Sequence, residues 1–208
     1  MIAVIDYGMG NLRSVENSLR VVGAEGKATS NPQVILNSKA VILPGVGAFK
    51  DCMANLEKLD LIDCVQKSAQ SGKPFLGICL GLQLLFSESE EFGLYAGLDL
   101  IPGKVRKFQF SQKNRDLKIP HMGWNQVKIE VESPLFKGIP DNSYFYFVHS
   151  YYVDPEDKNV IVATTSYGDD FVCGVRKNNI YAFQFHPEKS QKLGLTLLKN
   201  FSDLVIKK

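Results

Sequence analysis

One cysteine of the chain, Cys79, stands between two glycines in "KPFLGICLGLQLLF" (Lys73 to Phe86), where an apolar run changes character. Before it, Pro-Phe-Leu-Gly-Ile reads as a short buried strand; after it, Leu80, Leu84 and Leu85 recur at helical spacing. A thiol at such a strand-to-helix turn, flanked by Gly77 and Gly81, fits a nucleophile elbow, which holds a reactive side chain clear of a sheet. The plainer reading of the same residue is a buried core cysteine. A free thiol is mostly protonated at neutral pH, so a nucleophilic cysteine needs a base for its proton and a third group to fix that base in one tautomer. The stretch "QFHPE" offers both. His186 and Glu188 read as the end of a late strand, two apart in an extended segment and so pointing to the same side. The start of the helix after Cys79 would add a positive dipole end beside the sulfur. Cys79, His186 and Glu188 would together supply the nucleophile, the base and the orienting carboxylate of a triad.

Elements that would position them follow from the patterning. "IAVID" (Ile2 to Asp6) is an apolar strand. After the turn "GMGN" a helix begins at Asn11, with Leu12, Val15, Leu19 and Val22 on one face, and stops at Gly23. "KAVILPGVG" is a second buried strand running into a Pro/Gly turn, followed by a helix carrying Met53 and Leu56. "PFLGIC" is the third strand of this kind. Apolar strands separated by helices imply a parallel sheet covered on both faces, and right-handed crossovers make the expected fold doubly wound α/β. From about Pro102 the chain turns β-rich: "GKVRKFQF", "GWNQVKIEV", "SYFYFVHSYYVD", "VIVATTSYG", "FVCGVRK" and "NIYAFQFHPE". These read as mixed or antiparallel strands extending the first sheet. The stretch "YFYFVHSYY" reads as buried strand whose alternation brings some tyrosines to the surface. A last amphipathic helix, "KLGLTLLKNFSDLV", turns Leu193, Leu197, Leu198, Phe201 and Val205 inward. With no repeats or long linkers, residues 1–208 are expected to form one domain. Ligand sites in open α/β sheets lie beyond the carboxyl ends of the strands, which is where "PGVG" (Pro44 to Gly47) and Cys79 fall.

Composition sets bounds on function. The 208 residues are 45% apolar and 22% charged, with a formal net charge of +2, and no basic cluster favours nucleic acid. The opening "MIAVIDYGMG" lacks a basic leader region, and no apolar stretch reaches membrane-spanning length. Cys52, Cys64, Cys79 and Cys173 form no C-x-x-C pair, which argues against a zinc site or a disulfide framework. A cytoplasmic protein with reduced thiols is expected.

The ordered set "IDYGMGNLRSV", "ILPGVGAF", "GICLGLQLL", "HMGWN", "YFVHSYY" and "FHPE" resembles the class-I, triad-type glutamine amidotransferases over nearly the whole chain, and is most similar to their histidine-pathway branch. That resemblance implies that Cys79 attacks the side-chain amide of L-glutamine, that His186 accepts the thiol proton and passes it to the leaving nitrogen, and that Glu188 orients His186. It further implies an oxyanion hole built from the backbone N–H groups of Leu80 and Val46. Glutamine would be held by Gly47, Gln83, Glu91 and backbone groups of His149, Ser150 and Tyr151. Glu91 lies in the acidic run "SESEE", which by itself reads as a solvated helix end. Gly45 and Gly47 flank Val46, and their conformational freedom suits a segment that rotates a peptide into or out of the hole. No cofactor or metal is implied.

Nothing in the chain reads as a domain that would use ammonia, and ammonia released into water becomes ammonium, a poor nucleophile. The acceptor site is therefore expected on another protein, docked closely enough to exclude water. The resemblance implies a (β/α)8-barrel cyclase subunit in a heterodimer, with Asn11, Trp124, Asn125, Tyr146 and Lys189 at the docking and gating surface. Sister enzymes of pyridoxal phosphate, anthranilate or surface-sugar pathways would share the triad and differ in partner. A stand-alone cysteine hydrolase would share the elbow without needing "GWN", and a non-catalytic binding module would have no use for an intact Cys-His-Glu set.

Overall fold

The computed structural model describes residues 1–110 and 116–206. The first part of the chain alternates strands and helices: β1 (Ile2–Ile5), α1 (Leu12–Val21), β2 (Gly26–Thr29), α2 (Pro32–Asn37), β3 (Ala40–Gly45) and α3 (Phe49–Lys58). It continues through α4 (Ile62–Gln70), β4 (Phe75–Cys79) and α5 (Leu80–Leu84). Every residue of β1, β3 and β4 is buried, as strands covered on both faces require. Successive side chains then serve opposite cores. Ala3, Ile5, Val41, Leu43 and Phe75 pack with Phe49, Leu56 and Val65 from α3 and α4. Ile2, Val4, Ile42, Leu76 and Ile78 pack on the other face with Val15 and Leu19 of α1. The Asn11 side chain caps α1 by accepting from Ser14 N, and Gly23, at φ +77°, ends that turn of chain.

The second part is mostly strand: β5 (Phe86–Ser89), β6 (Tyr95–Ala96), β7 (Ile101–Lys107), β8 (His121–Ile129), β9 (Ser143–His149) and β10 (Tyr151–Pro155). Then come β11 (Ile161–Tyr167), β12 (Asp169–Lys177), β13 (Ile180–Phe183) and the closing α6 (Gln191–Ile206). Leu197, Leu198 and Phe201 of α6 complete the core over α1. The sheet runs β2-β1-β3-β4-β13-β12-β10-β7-β5-β6, with β11 joining β12 to β8 and β9 beyond β8. Pairings from β2 through β13 are parallel, whereas β12 meets β13, β10 and β11 antiparallel. The fold is the doubly wound α/β sheet with a mixed extension.

Several local expectations need correction. The helix after Cys79 is only five residues long, because Phe86 pairs with Ile101 and draws the chain back into the sheet. The run "SESEE" therefore begins as strand β5 rather than as a solvated helix end, and Glu91 beyond it is buried. The aromatic stretch from Ser143 is two strands broken at Ser150: β9 pairs with β8, and β10 with β7 and β12. Strand β13 stops at Phe183, and Pro187 starts a 3-10 turn over Pro187–Lys189. His186 and Glu188 thus lie at a turn and not on one extended segment.

Candidate active site

At the junction of β4 and α5 the backbone of Cys79 takes φ +55° and ψ −107°, a conformation rarely adopted by a residue with a Cβ. Such strain costs on the order of 1–3 kcal/mol and persists only where the surroundings impose it. The flanking glycines show what imposes it. A Cβ on Gly81 would lie 1.9 Å from the Leu43 carbonyl oxygen, and one on Gly77 2.9 Å from the Gly81 oxygen. Helix α5 can thus press directly against β3 and β4, and the turn throws the Cys79 side chain out at the carboxyl end of the sheet. The sulfur donates to the Val148 carbonyl at 3.8 Å and accepts from Gln184 Nε2 at 3.7 Å. A helix of one and a half turns has a weak dipole, so the field at the sulfur owes less to α5 than the sequence suggested.

His186 faces the same space from the turn after β13. Its Nδ1 lies 2.8 Å from Glu188 Oε1, with both side chains 2% exposed. Burial disfavours a charged imidazole here, but the Cys79 sulfur and the Glu188 carboxylate outweigh it and raise the His186 pKa to about 10. Nε2 has no partner with hydrogen-bond geometry, so the link to Cys79 is chiefly Coulombic. The turn is stitched to β9: His186 N–H donates to the Tyr146 carbonyl, Tyr146 N–H to Ser190 Oγ, and Ser190 Oγ–H to the His186 carbonyl.

Cys79 and His186 line a cavity of about 290 Å³ together with Val46, Gly47 and Leu80. Gln83, Glu91, His149, Ser150 and Tyr151 line it as well. Gly47 has φ +98°, and Val46 is 37% exposed. Glu91 Oε2 accepts from Phe49 N at 2.6 Å, serving as the cap that α3 lacks locally. Burial pushes the Glu91 carboxyl up, partly offset by that N–H. Gln83 Nε2 donates to the Tyr151 carbonyl and to Gln184 Oε1. Both amide hydrogens are thereby committed, which leaves Gln83 Oε1 as an acceptor for a bound ligand. Thiol, imidazole–carboxylate pair and two further acceptors thus converge on one cavity, an arrangement able to do nucleophilic chemistry on a small polar molecule. Among the described residues no group of three or more His, Cys, Asp or Glu is placed to hold a metal ion.

Of the residues expected at a docking surface, Trp124, Tyr146 and Lys189 cluster. The Trp124 ring meets Tyr146 edge-on at 6.0 Å, and Lys189 Nζ lies 5.8 Å from the Tyr146 ring centroid. Asn11 is occupied as the cap of α1. Asn125 is turned inward, its amide nitrogen donating to the Ser166 carbonyl and lying 3.2 Å from His121 Nε2. Gln184 was missed by sequence reasoning. Gln184 follows an aromatic strand, and the only hint was its place two residues before His186.

The family model for class-I glutamine amidotransferases matches residues 3–204. Curated relatives include the imidazole glycerol phosphate synthase subunit HisH of Geobacter metallireducens, 53% identical over 97% of this chain and 97% of the relative. The HisH subunit of Syntrophotalea carbinolica is 51% identical over 98% of this chain and 100% of the relative. Among solved structures, one described as a glutamine amidotransferase superposes with a TM-score of 0.75 at 19% identity, covering 99% of both chains. That of PurLQS from Thermotoga maritima gives 0.70 at 17% identity, covering 99% of this chain and 97% of the other. At such identities the structures speak for the fold alone.

Proposed function

The chain belongs to the class-I glutamine amidotransferase family, and on that premise we propose that it is the glutaminase subunit of an imidazole glycerol phosphate synthase. The observation that carries the reading is the strained Cys79 elbow opening into the same cavity as the His186–Glu188 pair, in a chain about half identical to HisH subunits over nearly its full length.

In this mechanism the Cys79 thiolate attacks the side-chain amide carbon of L-glutamine. The N–H groups of Leu80 and Val46 receive the developing oxyanion; one such donor contributes roughly 10²- to 10³-fold in turnover. His186, carrying the proton taken from the thiol, gives it to the departing nitrogen, so ammonia leaves and a thioester remains. Water, deprotonated by His186, then releases glutamate and restores the thiol. Glu188 keeps Nδ1 protonated and Nε2 directed at the reacting atoms throughout. Gln83 Oε1 and the Glu91 carboxyl offer acceptors for the α-ammonium group, and Gly47 with the His149–Tyr151 backbone completes the cradle.

The ammonia passes to a (β/α)8-barrel cyclase subunit, which makes imidazole glycerol phosphate and aminoimidazole carboxamide ribotide in histidine biosynthesis, in the cytoplasm. The exposed Trp124, with Tyr146 and Lys189, is the proposed contact. Tyr146 is suited to report docking because its backbone holds His186 through two hydrogen bonds, one direct and one by way of Ser190. A partner activates only if it binds the competent conformation of the site more tightly than the resting one. The test is glutaminase turnover of the chain alone and with the barrel subunit and its ligand. A strong rise is expected, diminished by Tyr146→Ala; full turnover in the isolated chain overturns the gate and favours a stand-alone hydrolase.

A further inference from the structure

Two arms of one hydrogen-bond chain meet at the carbonyl of Tyr151. This oxygen accepts from His149 Nδ1 at 2.8 Å and from Gln83 Nε2 at 3.0 Å. A carbonyl can only accept, so both nitrogens must carry hydrogen. That requirement fixes every orientation outward along both arms. Since Gln83 presents nitrogen to Tyr151, the same nitrogen faces Gln184 at 3.1 Å, and the Gln184 atom opposite it must be Oε1. The other end of the Gln184 amide, Nε2, is then the atom aimed at Cys79 Sγ, 3.7 Å away.

On the other arm, burial holds His149 neutral, its pKa lowered to about 3, so with Nδ1 protonated its Nε2 is an acceptor. His121 Nδ1 must therefore donate to it, at 2.9 Å, and His121 Nε2 accepts from the Asn125 amide. Asn125 is anchored in turn because the same nitrogen donates to the Ser166 carbonyl. Gln83, Gln184, His121 and His149 are all buried, so water cannot reverse any of these amides or tautomers cheaply.

We propose that Gln184 is a positioning residue for the Cys79 nucleophile, locked by this chain as a hydrogen-bond donor to the sulfur. The inference rests on the reading of Cys79 as the nucleophile. A thiol can donate to the Val148 carbonyl, but a thiolate has no hydrogen to give and needs a donor instead. Gln184 Nε2 supplies it without any rearrangement, in an orientation that the backbone carbonyl of Tyr151 imposes through Gln83. The donor holds the sulfur in one rotamer and stabilises its charge, and it does not touch the glutamine substrate.

The test is Gln184→Met, which keeps length and volume and removes the donor. Hydrogen bonds to charged groups are strong enough that kcat for glutamine hydrolysis is expected to fall about ten- to hundred-fold, with KM changed by about two-fold or less. Alkylation of Cys79 by iodoacetamide at pH 7, corrected with the Cys79→Ala chain as background, is expected to slow about ten-fold. Gln184→Glu, which keeps an acceptor for Gln83 but sets a carboxylate against the sulfur, is expected to lose more, and carries the test if the methionine variant does not fold. Unchanged kcat and alkylation in either variant overturn the proposal, as does a raised KM at unchanged kcat. Full turnover by Cys79→Ala would instead overturn the nucleophile reading, so the two failures are distinguishable.

Discussion

Gly81→Ala is the smallest change that should dismantle the elbow. The added methyl carbon would sit 1.9 Å from the Leu43 oxygen, where ordinary contact begins near 3.4 Å, so the two must separate by about 1.5 Å. Leu43 cannot give that distance, because β3 is paired on both sides and Leu43 lies in register with Gly77. The displacement falls on α5, and with it on the Leu80 N–H and the strained Cys79 backbone. Overpacking of this kind costs about 1–3 kcal/mol, which for a chain of this size lowers Tm by roughly 2–12 °C. A misplacement of about 1 Å at reacting groups costs on the order of 10²-fold, so kcat/KM should fall at least that far. Gly138→Ala is the control: its φ of +74° brings strain, but nothing lies within 4 Å of the new carbon. It should lower Tm by a few degrees and leave turnover alone. Thermal melting and ammonia release, measured on both variants, check this. A Gly81→Ala chain with unaltered kcat/KM would refute the claim that α5 is seated on the Leu43 carbonyl.

Glu188→Gln removes the negative charge beside His186 Nδ1 and is expected to lower glutaminase kcat by up to about 10⁴-fold, as when a triad loses the carboxylate that fixes its tautomer. The raised His186 pKa gives stability that is complete below about pH 6.5 and lost as pH rises through about 10. The Tm deficit of Glu188→Gln should therefore be largest near pH 6 and vanish near pH 10; a deficit independent of pH would show that the charge is not what it removes. Val46→Pro deletes one backbone N–H and should reduce kcat by about 10²- to 10³-fold with glutamine binding retained. Normal turnover in that variant would exclude Val46 as an oxyanion donor.

The elbow was legible because the small residues that permit it are neighbours in the chain, although the Leu43 carbonyl they pack against is not. Gly77, Cys79 and Gly81 lie within one strand-to-helix switch, and close packing there demands small residues at those positions. The parallel half of the sheet was legible from neighbouring residues too, since β1, β3 and β4 are apolar throughout. What failed to show were features decided by distant contacts. Ser150 breaks an aromatic run that alternation alone would continue, because β9 and β10 pair with different strands. Glu91 sits in a charged run yet is buried, since the uncapped N-terminus of α3, 42 residues earlier, takes its carboxylate. Gln184 meets Cys79 across 105 positions, and no spacing rule reaches that far. The short strand β2 and helices α2 and α4 have too few periodic residues to stand out from the turns around them.

The central claim is that Cys79 is the nucleophile that releases ammonia for a partner's synthesis, and a comparison of nitrogen sources tests it most directly. Imidazole glycerol phosphate formation by the Cys79→Ala chain with the barrel cyclase subunit is measured once with glutamine and once with an ammonium salt. Loss of the glutamine-driven reaction with the ammonium-driven one intact is the predicted result. Glutamine-driven synthesis at the unaltered rate would contradict it.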